Sequence, residues 1–137
     1  MSEIQNIKIK EYIGRINLSI EYINNNLDKE LNLAIVSRVA LYSPFYFHRL
    51  FSAITNETLN VFINRKRIEK SASILMKDKT ISISKTASKF GFSSNASFTK
   101  AFKKYYGINP TAMSISFSVN TTNSFRLNTS EIIFQWL

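Results

Sequence analysis

Apolar residues return every three or four positions along most of this chain. Ile9, Tyr12, Ile13, Ile16, Ile20 and Ile23 share one side of a helix over roughly 5–25, and Asn24-Asn25-Asn26 ends it. Leu33 to Ala40 reads as a short helix. Ser43 is a good N-cap with Pro44 at the first helical position, and the helix runs to about Ala53. Thr58 opens a long helix to about Lys77, with Leu59, Phe62, Ile63, Ile68, Ala72 and Leu75 on its buried side. Ser82 to Phe90 predicts another short helix, and Ser94 caps one to about Tyr106. Gly91 suits a turn with positive φ, while Gly107 and Asn56 suit the left-handed position that closes a helix. No alternating run long enough for a sheet occurs before residue 115, so the prediction is an all-α chain of about seven helices. Ser116 to Leu137, rich in Ser, Thr and Asn, reads as a short irregular tail with two possible strands, Phe117–Val119 and Ile132–Trp136.

A phrase within this pattern occurs twice. Ser43-Pro44-Phe45-Tyr46-Phe47-His48-Arg49-Leu50-Phe51 and Ser94-Asn95-Ala96-Ser97-Phe98-Thr99-Lys100-Ala101-Phe102 align 51 residues apart, and Asn56 then falls opposite Gly107. A short helix, a tight turn and a second helix, met twice, make a doubled helix-turn-helix. The expected organisation is a first subdomain over 5–57, a linker helix over 58–77, a second subdomain over 78–113 and a tail over 114–137.

Charge sharpens the picture. The net charge is +9, and from Arg38 to Lys104 there are 13 Lys and Arg against three acids, Glu57, Glu69 and Asp78. The excess therefore sits on the doubled segment, which favours a polyanion such as double-stranded DNA. No apolar run of 18 residues predicts a membrane span, and Met1-Ser2-Glu3 does not open a signal peptide. Without cysteine there is neither a disulfide nor a thiolate metal site. A cytoplasmic protein, associated with the nucleoid through DNA, is expected, with no cofactor and no metal.

In a helix-turn-helix the second helix enters the major groove and presents its outer face to base edges. Phe47, Leu50 and Phe51 must point inward, which turns Phe45, Tyr46, His48 and Arg49 outward at about 100° per residue. In the second copy Phe98, Ala101 and Phe102 hold the core, and Asn95, Ala96, Ser97, Thr99 and Lys100 face out. Arg65-Lys66-Arg67, between the two reading heads, is a candidate for phosphate contact. About 20 residues of linker helix at about 1.5 Å each span about 30 Å, close to the recurrence of major-groove faces at about 34 Å. Two different reading helices imply an asymmetric site bound by one monomer.

These motifs resemble the arabinose-regulator (AraC/XylS) type of bacterial transcription factor over about residues 12–113. The second-unit signature reads Ile83-Ser84-Lys85-Thr86-Ala87-Ser88-Lys89-Phe90-Gly91-Phe92-Ser93-Ser94, then Phe98-Thr99-Lys100-Ala101-Phe102-Lys103-Lys104 and Gly107-Ile108-Asn109-Pro110. The first unit, with Glu57-Thr58-Leu59 and Arg65 to Ser71, resembles the branch that often carries a gyrase-inhibitor-like effector domain, which a chain of 137 residues is too short to include. The resemblance implies base contacts from Phe45, His48, Arg49, Asn95, Ala96, Ser97 and Lys100. It implies phosphate contacts from the helix N-termini at Ser43 and Ser94 and from Arg65, Arg67, Lys103 and Lys104. There are departures: Lys100 stands where Arg is common, Met113-Ser114 replaces an aromatic-Arg pair, Ser37 a small Ala, and Thr86 an Ile.

A sequence-specific DNA-binding regulator, an activator acting with RNA polymerase, is the expectation. The alternative is a helical protein-interaction module, a truncated regulator that titrates another regulator or RNA polymerase. An enzyme is not expected: no nucleophile–base pair, carboxylate cluster, phosphate loop or metal spacing stands in the sequence, and His48 is the only histidine.

Overall fold

The structure is a computed structural model that describes residues 2–120, with side chains through residue 115. Among the described residues there are seven helices and no strand: α1 (Glu3–Asn25), α2 (Leu33–Val39), α3 (Pro44–Thr55), α4 (Leu59–Lys77), α5 (Ile83–Lys89), α6 (Asn95–Tyr106) and α7 (Pro110–Asn120). The chain divides into two compact units, the first ending at Lys66 and the second opening at Arg67, so the boundary falls inside α4.

Each helix start has a local chemical cause. Ser2, Asn32, Ser43, Ser82 and Ser94 each accept a backbone N–H with the side-chain oxygen, satisfying a donor the first turn would leave without a partner. The Ser2–Gln5 pair is a capping box, which is why α1 begins two residues before the expected start. Asn56 at φ 61° and Gly107 at φ 73° close α3 and α6 in the left-handed conformation expected of them.

In the first unit Phe47 and Phe51 are fully buried, their rings 5.4 Å apart, and Phe62 meets Phe51 edge-on at 5.2 Å. Ile16, Ile23, Val36, Leu59 and Ile63 complete this core. α1 contributes to it only from Ile16 onward, and Ile9 and Ile13 stay exposed. In the second unit Phe98 and Phe102 take the same places, joined by Ile68, Ala72, Leu75, Ala87 and Met113. Phe92 and Tyr106 flank the pair at 5.2 and 4.9 Å. Burial and a smaller contribution from the Glu69 charge push the Tyr106 hydroxyl up to about 12, so the ring enters the core as the neutral phenol.

The buried polar side chains Ser19, Ser37, Ser71 and Thr86 are each accommodated by a carbonyl of their own helix or its cap. The hydroxyls of Ser19, Ser37, Ser71 and Thr86 donate to the carbonyls of Ile16, Ala34, Arg67 and Ser82 at 2.6, 3.2, 2.7 and 3.0 Å. The substitutions Ser37 and Thr86 therefore bury no unsatisfied donor.

The C-terminal expectation needs correction. Phe117–Val119 is not a strand but part of α7. The alternation Ile115-Ser116-Phe117-Ser118-Val119 imitates a strand. However, Asn109 Oδ1 accepts the Ala112 N–H at 2.7 Å, Pro110 is pre-set for a first turn, and Met113 is buried in the second core. Ile132–Trp136 lies outside the described residues.

The turns of the two units differ in one chemical respect. Leu41 holds φ 60° between α2 and α3, and Gly91 holds φ 78° between α5 and α6. Left-handed backbone costs a side-chain-bearing residue about 1–2 kcal/mol. Gly91→Ala is expected to lower stability by about 1 kcal/mol, whereas Leu41→Gly should raise it by about 0.5 kcal/mol once the added chain entropy is counted. Urea titration of the two variants checks the opposite signs, and a destabilised Leu41→Gly would refute the strain account.

Candidate nucleic-acid interface

The buried phenylalanine pair fixes the rotation of α3 about its axis, and with it the residues that face water. Phe45 is 74% exposed, and His48 and Arg49 are exposed with it. The Arg49 guanidinium carbon lies 5.9 Å from the centre of the Phe45 ring, so the two form one outer surface through a cation–π contact. Tyr46 sits at the edge of this surface. It is 38% exposed, and its ring meets Tyr42 at 5.2 Å and Tyr12 of α1 at 6.3 Å. Its hydrogen bond with Tyr12 holds its pKa above the usual phenol value. Tyr46 thus helps to tie α3 to α1, a packing role that leaves one edge of the ring outward.

On α6 the same constraint exposes Asn95, Ala96 and Lys100, and leaves Ser97 and Thr99 half-buried. The Ser97 hydroxyl is engaged in the cap: it accepts the Ser94 N–H at 3.2 Å and donates to the Ser94 carbonyl at 2.9 Å. The hydroxyls of Ser43 and Ser94 accept the N–H groups of Tyr46 and Ser97 at 3.3 and 3.1 Å. Ahead of these two capped groups, the N–H of Phe45 in α3 and those of Asn95 and Ala96 in α6 are the first-turn donors placed to meet an anion.

The basic groups separate into two kinds. Lys100, Lys103 and Lys104 are exposed along α6, as Lys85 and Lys89 are on α5. The run on α4 is drawn toward the protein instead. Arg65 Nε donates to Glu57 Oε1 at 2.9 Å, and its guanidinium carbon stands 5.2 Å from the centre of the Phe62 ring. Lys66 Nζ lies 5.7 Å from the same ring centre. Arg67 is partly buried beside Gly91, and desolvation lowers its pKa.

Two features near this surface gave no signal in the residue pattern. Leu41 is 77% exposed in the turn just ahead of α3, and Arg15 of α1 reaches that turn. Their roles depend on backbone geometry that helical periodicity does not encode. Among the described residues no group of three or more His, Asp or Glu side chains could hold a metal ion, and no helix is long and apolar enough to cross a membrane.

A family model described as a helix-turn-helix domain matches residues 36–114. The transposon Tn10 TetD protein of Escherichia coli is 38% identical over 89 residues, which cover 65% of this chain and 64% of TetD. The probable transcriptional regulator LumQ of Photobacterium leiognathi is 33% identical over 101 residues, 72% of this chain and 40% of LumQ. The chain thus spans less than two thirds of either relative. In fold it is similar to the DNA-binding domain of the transcription factor AdpA, solved in complex with a target DNA. The TM-score is 0.72 at 17% identity, over 79% of this chain and 96% of that one.

The half-buried ion pair gives a direct test of the inner role of Arg65. Glu57→Gln removes the charge that faces a side chain only 18% exposed, and should cost about 1–2 kcal/mol of stability. Denaturant unfolding at low and high salt measures it, and a change within about 0.3 kcal/mol would place Arg65 among the solvated surface charges.

Proposed function

The chain belongs to the AraC-type helix-turn-helix family of transcription regulators, and on that premise we propose that it is a sequence-specific DNA-binding regulator with two reading heads. α3 and α6 enter successive major grooves of one duplex. Phe45, His48 and Arg49 read bases in one half of the site, with the outer edge of Tyr46 beside them. Asn95, Ala96 and Lys100 read the other half, and Ser97 and Thr99 lie at its margin. The observation that carries this reading is the pairing of an identical buried face with two different outer faces. Phe47 and Phe51 match Phe98 and Phe102 in full burial, while the exposed residues between them share no chemistry beyond one cation each.

Phosphate contact belongs to the exposed lysines Lys103 and Lys104 and to the N-terminal turns that begin after Ser43 and Ser94. Arg65, Lys66 and Arg67 act mainly through the protein, since their positions against Glu57, Phe62 and Gly91 support an internal role. Two different heads on one chain make a monomer sufficient and the site asymmetric. The names of the relatives support a role in transcription, with RNA polymerase as the machinery the bound protein addresses from the cytoplasm.

Selection from random DNA, followed by binding measurements across a salt series, tests the proposal. Log K should fall linearly with log salt, and the selected site should lack two-fold symmetry. Arg49→Ala should cost about 1–3 kcal/mol and relax preference in one half of the site, whereas Lys103→Ala should weaken all sequences alike and reduce the salt slope by about 1. Equal affinity for every sequence would sink the reading. A palindromic site with two chains bound would sink the monomer.

A further inference from the structure

The internal match extends beyond the paired phrase. Arg15, Ile16, Ser19 and Ile23 on α1 stand 52 residues before Arg67, Ile68, Ser71 and Leu75 on α4. Ile16 and Ile68 are fully buried, as are Ser19 and Ser71, and both serine hydroxyls donate to carbonyls of their own helices. The short helices α2 and α5 start 50 residues apart, and α3 and α6 start 51 apart. The shift between them is the one extra residue in the second turn. α4 is therefore to the second unit what α1 is to the first.

In each unit the arginine of this set reaches the same place. Arg15 Nη1 donates to the carbonyl of Leu41 at 3.4 Å, its guanidinium stands 4.8 Å from the centre of the Tyr42 ring, and Nη2 pairs with Glu11 at 2.8 Å. Arg67 Nη1 lies 3.7 Å from where a Cβ on Gly91 would stand. Leu41 and Gly91 are the left-handed residues of the two turns. A backbone in that region persists where its surroundings over-determine it, and a planar, permanently charged guanidinium can do this by bonding a carbonyl and covering a ring together.

We propose that Arg15 and Arg67 are equivalent positioning residues, each bracing the left-handed turn of its own unit and so fixing the angle at which α3 or α6 meets DNA. The brace stands on the geometry of the free protein, and only its consequence for DNA rests on the reading proposed above.

The test uses the full chain carrying Arg15→Met, Arg67→Met or Arg67→Lys. In the DNA-free protein, amide exchange is followed at Tyr42 and Phe92, whose N–H groups close the turns onto Ser37 and Ala87 at 3.1 and 3.0 Å. Arg15→Met should speed exchange at Leu41 and Tyr42 about tenfold and leave Gly91 and Phe92 unchanged; Arg67→Met should do the reverse. Unchanged exchange, or an equal rise at every core amide of the unit, overturns the brace. On DNA, each variant should lose discrimination in one half of the site with an unaltered salt slope. Uniform weakening with a slope reduced by about 1 would make these arginines plain phosphate contacts. Arg67→Lys keeps the charge without the planar fork, so it should behave like Arg67→Met if Arg67 is a brace and like the native protein if it contacts phosphate. It also carries the test if Arg67→Met does not fold. Should the native protein show no sequence preference, the DNA reading fails and the exchange comparison still decides the brace.

Discussion

Everything outward on this molecule depends on two phenylalanines per unit pointing inward. Phe47 and Phe51, one helical turn apart, are fully buried, and Phe98 and Phe102 repeat them. A core phenylalanine truncated to alanine typically costs about 3–5 kcal/mol, so this pair fixes the rotation of its helix more firmly than any surface group can. Once rotation is fixed, the identities of the exposed residues are free to differ without touching the fold. The same constraint that makes the units alike in structure therefore permits them to differ in recognition.

The helices were legible because their start signals are chemical and local. The serine caps Ser43 and Ser94, two left-handed closers and the three-to-four spacing of Ile, Leu and Phe place α1 to α6 within a few residues of their observed ends. α7 was not legible, because Ser-Ile-Ser-Phe-Ser-Val alternates as a strand does, and the decisive terms were the Asn109 cap and the burial of Met113. On the candidate interface, periodicity correctly turned Phe45, His48, Arg49, Asn95, Ala96 and Lys100 outward. It turned Ser97 and Thr99 outward as well, although both are half-buried, and it says nothing of partners that come from elsewhere in the fold. Tyr46 is claimed by Tyr12 and Tyr42, and Arg65 by Glu57, neither of which an outward helical phase reveals. Arg15 and Leu41 escaped notice for the same reason.

The withdrawal of the α4 arginines changes how charge is distributed between the units. Among the described residues of the second unit the exposed cations are lysines: Lys70, Lys77, Lys79, Lys85, Lys89, Lys100, Lys103 and Lys104. In the first unit the outer face of α3 instead carries one arginine, one histidine and an exposed phenylalanine. Lysine is a compact point charge on a flexible stem, suited to a phosphate whatever the sequence, whereas arginine's planar fork matches the two acceptors of guanine. Asn95 on α6 can bond adenine bidentately, but Ala96 offers only a methyl group. Under the proposed reading the two heads therefore contribute different terms. The second supplies most of the salt-dependent attraction, and the first supplies most of the geometric discrimination. A left-handed leucine in the first turn, where the second has glycine, fits this division. The turn ahead of the discriminating head is bonded at its Leu41 carbonyl by Arg15, and a loosened turn there would blur the placement of Arg49 before it weakened the attraction of the duplex.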